Sequence, residues 1–159
     1  MTFSLSPTSS ERLETVHPDL QNVVNAVVPT SPFQIVVMQA LRTADEEMQL
    51  WLSCHNNDGT RNDQPWKTNC NGYPVGVTAS NGIAGTGVSN HQGGHAVDLG
   101  VEISGAMVWD MQYYKQLAGL MLGAAAKLQI PLVWGGSFIT PDNDHFELNK
   151  NFYPLEETK

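Results

Sequence analysis

Residues 89–100, SNHQGGHAVDLG, carry two histidines four apart and an aspartate three residues beyond the second. The His91–His95 spacing is that of the HExxH helix, which presents two imidazoles to one zinc ion from adjacent turns. Two features oppose that helix here. Gln92 stands where the glutamate would be, and a carboxamide cannot take a proton from water. Gly93 and Gly94 follow, each costing about 1 kcal/mol in a helix interior, and together they mark a turn. Past the turn the residues alternate as a strand. Val97, Leu99 and Val101 face a core, while Ala96, Asp98 and Gly100 face the other way. Asp98 thus points off the sheet among small residues. His95 has the opposite parity and reads as packed or hydrogen-bonded rather than catalytic. His91, ahead of the glycine turn, can fold back toward Asp98. A carboxylate beside a neutral imidazole suits a divalent metal. Taken alone, the stretch reads equally well as a surface turn with a solvated aspartate.

A catalytic zinc site commonly needs three protein ligands and one open position. The chain has five histidines, His17, His55, His91, His95 and His145. His145 lies in PDNDHFELN, a short strand pattern with Phe146 and Leu148 inward and His145 and Glu147 on the other face. Asp142, on a Pro/Asp/Asn turn, precedes it by three residues and is placed to act as general base on the attacking water. His91, Asp98 and His145 as ligands to Zn2+, with Asp142 as base, make a complete hydrolytic set. Asp144 and Glu147 are the competing carboxylates. Parity assigns Asp144 to the Phe146 side and leaves Glu147 to support a ligand from behind. His17 and His55 show no partner in the sequence, and Trp134 reads as core.

The pattern S-x-H-x(6)-D followed at a distance by D-x-x-H resembles that of the M15 zinc peptidases. Here it reads Ser89-Asn90-His91, Asp98, then Asp142-Asn143-Asp144-His145. Within that family the chain is most similar to phage endolysins of the L-alanyl-D-glutamate peptidase type. The opening SLSPTSSERLETVHPDLQNVVNAV, the segment ALRT at 40–43 and IPLVWGGSF at 130–138 all carry the likeness, which spans roughly residues 4 to 148. The resemblance implies an α+β fold of the hedgehog and D-Ala-D-Ala peptidase kind. It implies that Arg42 holds a substrate carbonyl or carboxylate and stabilises the oxyanion, and that Ser89 orients a ligand or the substrate. A surface salt bridge of Arg42 with Glu46 and a plain turn role for Ser89 are the alternatives. Three departures stand out: Glu47 where glutamine is usual, a long polar segment at 56–76, and an acidic chain. The implied activity is hydrolysis of the L-Ala–D-Glu bond in peptidoglycan stem peptides during host lysis. Alternatives are a D-alanyl-D-alanine dipeptidase or carboxypeptidase and a zinc-containing binding module without catalysis; Asp142 at the base position speaks against the last.

With 159 residues and a formal charge of -8, the chain is sized for one catalytic domain, 1–159, and disfavours nucleic acid or an anionic membrane as partner. Stem peptides are themselves carboxylate-rich, so overall charge cannot attract them and a local cation such as Arg42 must. MTFSLSPTSS lacks the basic start and apolar core of a signal peptide, and LAGLMLGAAAKLQI is too short to span a bilayer. The expectation is a monomer held in the host cytoplasm and released to the wall with help from a holin. Cys54 and Cys70 can pair after release into an oxidising space; with His55 they give only three soft ligands of a second site.

The elements that must position these groups follow from caps and periodicity. Thr8-x-x-Glu11 has capping-box form, and Pro18 opens a second helix with Leu20, Val23, Val24 and Val27 on one face, ended by Pro29 and Pro32. FQIVVMQAL, 33–41, is a buried strand. Thr43-x-x-Glu46 starts a helix to about Cys54, so Arg42 sits where a strand delivers the chain to a helix. A loop at 56–76, the His91–Asp98 strand, a helix from about Val108 to Leu128 stopped by Pro131, the short strand LVWG, the strand DHFEL and a tail at 149–159 complete the chain. Helices mix with antiparallel-looking strands without βαβ regularity, which makes the class α+β.

Overall fold

The computed structural model describes residues 2–52 and 88–155. Cys54, His55, Cys70 and the 56–76 segment lie outside the described residues. Two helices come first, α1 (Pro7–Leu13) and α2 (Pro18–Val27), then strand β1 (Gln34–Gln39) and helix α3 (Ala44–Leu52). After the glycine turn come β2 (Ala96–Ile103), β3 (Ala106–Val108), α4 (Met111–Leu128), β4 (Leu132–Trp134) and β5 (His145–Leu148). The sheet runs β1-β2-β5-β4, with β3 paired to the far end of β2, and every pairing is antiparallel. The architecture is α+β: a small antiparallel sheet flanked by helices.

The core is the one the alternation predicts. Val97, Leu99, Val101, Phe146 and Leu148 are fully buried on one sheet face and meet Leu20, Val23 and Val24 of α2 and Leu117 and Met121 of α4. Each such side chain contributes about 1.5–3 kcal/mol on burial. The face opposite is covered too. Met38 and Met107 fill the space over Gly100 so closely that any side chain there would collide with them. Room beside Asp98 is therefore bounded on the Gly100 side.

Several boundaries differ from the sequence reading. The cap of α1 is Ser6, whose hydroxyl accepts from the Ser9 N–H at 3.2 Å, with Pro7 at the first position. Thr8 and Glu11 fall inside the helix, because a proline at the first helical position fixes φ and starts the helix earlier. The α4 helix starts at Met111 behind an Asp110 cap; Val108 belongs instead to a hairpin, where Ser104 and Gly105 turn with positive φ. It closes at Gln129 in the left-handed conformation, ahead of Pro131. The Thr43/Glu46 box is realised, Thr43 N–H donating to Glu46 at 2.7 Å and Glu46 N–H to the Thr43 hydroxyl at 3.2 Å. Among the described residues no helix is long and apolar enough to cross a membrane.

Candidate metal centre

The register of β2 against β5 sets Asp98 directly opposite His145. Cross-strand partners share a face, so the carboxylate and the imidazole meet with no loop between them. On the other edge β1 carries a bulge between Val37 and Gln39, beside Asp98. A bulge re-aims the strand end, and here the continuing chain, Ala40 to Arg42, runs along the glycine turn. Its backbone grips that turn: Arg42 N–H donates to the His91 carbonyl at 3.1 Å, and the His91 ring donates from Nδ1 to the Ala40 carbonyl at 2.8 Å.

Three donor atoms converge. His91 Nε2 lies 3.3 Å from Asp98 Oδ1, His145 Nδ1 lies 3.0 Å from the same oxygen, and the two nitrogens are 3.2 Å apart. Tetrahedral ligands at zinc distances of about 2.0–2.2 Å stand about 3.3–3.6 Å from one another. The triangle is thus only slightly tighter than one face of a tetrahedron around a metal. The far nitrogens fit the same purpose. A carbonyl only accepts, so Ala40 fixes the proton on His91 Nδ1 and leaves Nε2 with its lone pair. His145 Nε2 donates to Glu147 Oε2 at 3.1 Å, which turns Nδ1 toward Asp98. Metal-binding histidines are characteristically held in this way from behind. His91, Asp98 and His145 form a site able to hold a metal ion.

The electrostatics of the metal-free site are those of a proton standing in for a cation. Burial alone would raise the Asp98 carboxyl, but the hydrogen bond from His145, with His91 alongside, holds it well below the usual range. Burial disfavours a charged His145, yet its two carboxylate partners, Asp98 and Glu147, outweigh this and push it up to about 10. Glu147 is lowered: its own burial is overcome by the hydrogen bond with His145. Asp98 thus faces the positive charge that His145 prefers to carry, and a divalent ion supplies the same sign of charge.

Asp142 is exposed on the loop before β5, its N–H donating to the Gly135 carbonyl at 3.0 Å. Gly135 is obligatory there, since a side chain would strike the Asp142 backbone and press on His145 Cβ at 3.0 Å. Asp142 lies within electrostatic range of His145. Asp144 departs from its expected place. It precedes the strand, so strand parity does not govern it; its carboxyl hydrogen-bonds with Asp142, and burial and that bond raise it to about 7.

Arg42 is not a surface residue. It is 6% exposed and pairs through Nη1 with the fully buried Glu47 at 2.5 Å, while Nη2 stands 3.9 Å from Asp98 Oδ2. Glu46 is occupied in the α3 cap instead. Ser89 accepts through its hydroxyl from the His91 N–H at 3.3 Å, supporting the turn that carries the ligand. Trp134 packs against the core and donates to the Asn143 carbonyl at 2.8 Å. His17, without a partner in the sequence reading, caps α2 by accepting from Asp19 N–H at 3.1 Å and meets His95 edge-on at 5.4 Å. His95 is packed, as its parity predicts.

Sequence reasoning missed the Ala40 carbonyl, a backbone group that no residue type announces. It also missed the pairing of Glu47, whose one signal was an acidic residue five positions after Arg42.

Known proteins resemble this chain in sequence and in fold. A family model described as phage L-alanyl-D-glutamate peptidase matches residues 1–58, and one described as D-alanyl-D-alanine carboxypeptidase, of the M15 peptidases, matches residues 83–148. The second match contains all three donor residues and Asp142. The crystal structure of the Serratia marcescens L-Ala D-Glu endopeptidase ChiX superposes with a TM-score of 0.69 at 26% identity, over 95% of this chain and 94% of that one. No curated protein matches. The chain is a peptidase, similar to the M15 peptidases over residues 83–148 and sharing the fold of the Serratia endopeptidase.

Proposed function

We propose that this chain is a zinc-dependent endolysin, a single catalytic domain over residues 1–159, that hydrolyses the L-Ala–D-Glu bond of peptidoglycan stem peptides. The observation that carries the metal chemistry is the triangle of His91 Nε2, Asp98 Oδ1 and His145 Nδ1, with both far ring nitrogens tied to acceptors. The bond specificity is supported by the phage L-alanyl-D-glutamate peptidase model at the N-terminal end and by the likeness to the Serratia endopeptidase. Zinc held by the three residues supplies Lewis acidity for the scissile carbonyl. The chain's own groups do the rest. Asp142 takes a proton from the attacking water and passes it to the leaving amine. Arg42, fixed by Glu47, offers its remaining N–H groups to a substrate oxygen. Ser89 orients the turn that presents His91. The protein acts as a monomer, and a holin releases it from the host cytoplasm to the wall.

A second reading, a D-alanyl-D-alanine carboxypeptidase, is favoured by the model matching residues 83–148. Digestion of purified peptidoglycan followed by mass analysis separates the two. A new D-Glu amino terminus supports the endolysin; released D-Ala or its dipeptide selects the rival.

A further inference from the structure

The turn that carries His91 is held both from within and from outside. Residues 89–95 close on themselves through Gln92 N–H to the Ser89 carbonyl at 3.0 Å, Gly94 N–H to the His91 carbonyl at 3.1 Å, His95 N–H to the Asn90 carbonyl at 2.8 Å, and the side chains of Gln92 and Ser89, which accept from the Ser89 and His91 N–H groups. Adjacent glycines make such a turn conformationally costly to fix. Besides the grip of Ala40 and Arg42, it is clamped from outside by the first helices and by the C-terminal segment. On one side the His17 N–H donates to the Gly94 carbonyl at 2.8 Å, and Gly94, at a φ of +66°, lies so near that a Cβ would stand 3.1 Å from the Thr15 carbonyl. On the other side Leu155 covers Gly93, occupying the place a side chain would take.

Leu155 belongs to the segment the sequence reading treated as a tail. That segment is docked. Asn149, directly after β5, donates its N–H to the Pro131 carbonyl and accepts from the Phe152 and Tyr153 N–H groups, each at 2.9 Å. The Tyr153 ring meets His17 edge-on at 5.2 Å and His95 at 6.2 Å, and its hydroxyl donates to Asp19 Oδ2 at 2.7 Å. The chain thus leaves the strand that bears His145 and crosses to the turn that bears His91.

We propose that residues 149–155 are a strap that positions His91 for metal binding, with Tyr153 and Leu155 as positioning residues. The inference rests on the metal reading of His91, Asp98 and His145. The strap touches none of the three donor atoms; it acts by keeping the turn in the one conformation that sets Nε2 into the triangle. Without it, metal binding has to order the turn, and affinity falls.

The test uses the full chain and Zn2+ affinity measured by competition with a chromophoric chelator, together with the visible spectrum of the Co2+-loaded protein. Tyr153→Ala and Leu155→Ala are each expected to weaken Zn2+ about tenfold, the lower end of what loss of outer support costs at such sites, and to alter the cobalt spectrum. Tyr153→Phe, which keeps the ring contacts, should recover most of the affinity. Phe152→Ala, at a neighbouring residue 68% exposed, should match the wild type. A folded Tyr153→Ala protein with wild-type zinc affinity overturns the strap; should that variant not fold, unchanged affinity in Leu155→Ala overturns it. If the wild type binds no divalent metal, the metal reading fails and the strap falls with it. Unchanged affinity in the variants alone removes only the strap.

Discussion

Replacing Glu147 by Gln separates the support of a ligand from the ligand itself. Glu147 touches His145 Nε2 at 3.1 Å and is half-buried, on the opposite side of the ring from the donor triangle. Glutamine keeps the size and an accepting oxygen but removes the charge. In the metal-free protein His145 should then titrate lower, because one of its two carboxylate partners is gone. In the loaded protein the imidazole becomes a weaker base toward the metal. Outer partners of this kind are worth about 10–100-fold in metal affinity. With the hydrogen bond retained, the lower end applies, a loss of about tenfold or about 1.4 kcal/mol. Chelator competition reads the affinity, and NMR titration of the His145 ring reads the second effect. Unchanged affinity with an unshifted ring would mean that Glu147 does not support His145. Complete loss of the metal would mean that Glu147 is itself a ligand.

Asp142→Asn should keep fold and metal yet lose at least about a hundredfold in rate, as general-base catalysis contributes about 10²–10⁴-fold; Glu147→Gln should lose less. Glu47→Ala leaves Arg42 buried without its partner and should destabilise by about 3–5 kcal/mol in a denaturant titration, whereas a surface pair would cost little. Stability of the metal-free protein should depend on pH from both sides. His145, raised to about 10 from an ordinary 6.5, contributes fully below about 6.5 and loses its contribution as pH climbs through 10. Asp98, lowered, contributes above about 3.9 and fades as pH falls through its depressed value. Metal should release about one proton at neutral pH, from His145, measurable by calorimetry in buffers of different ionisation enthalpy.

Much of the site was legible because it depends on strand parity. The inward set Val97, Leu99 and Val101 fixes where Asp98 points, and Phe146 and Leu148 do the same for His145; the observed register then sets the two opposite each other. Alternation along each strand predicts faces but not pairing, so the meeting of Asp98 with His145 needed the structure. Arg42 was placed correctly between strand and helix, while its burial and its partner Glu47 were not legible, since they depend on the bulge at Met38 and on tertiary contacts. The tail was misread for a related reason. NKNFYPLEETK has no periodicity to announce docking, and Tyr153 finds His17, His95 and Asp19 only through the fold. Boundaries shifted where local chemistry acts at single residues, as with Pro7 and the Ser104-Gly105 turn.

The central claim is that three named atoms hold the metal, and anomalous diffraction at the zinc edge from a crystal of the loaded protein tests it most directly. The account predicts one peak about 2.0–2.2 Å from each of His91 Nε2, Asp98 Oδ1 and His145 Nδ1, with His145 Nε2 still on Glu147. A peak bound through His145 Nε2, or centred on His95 or Glu47 instead, would contradict it.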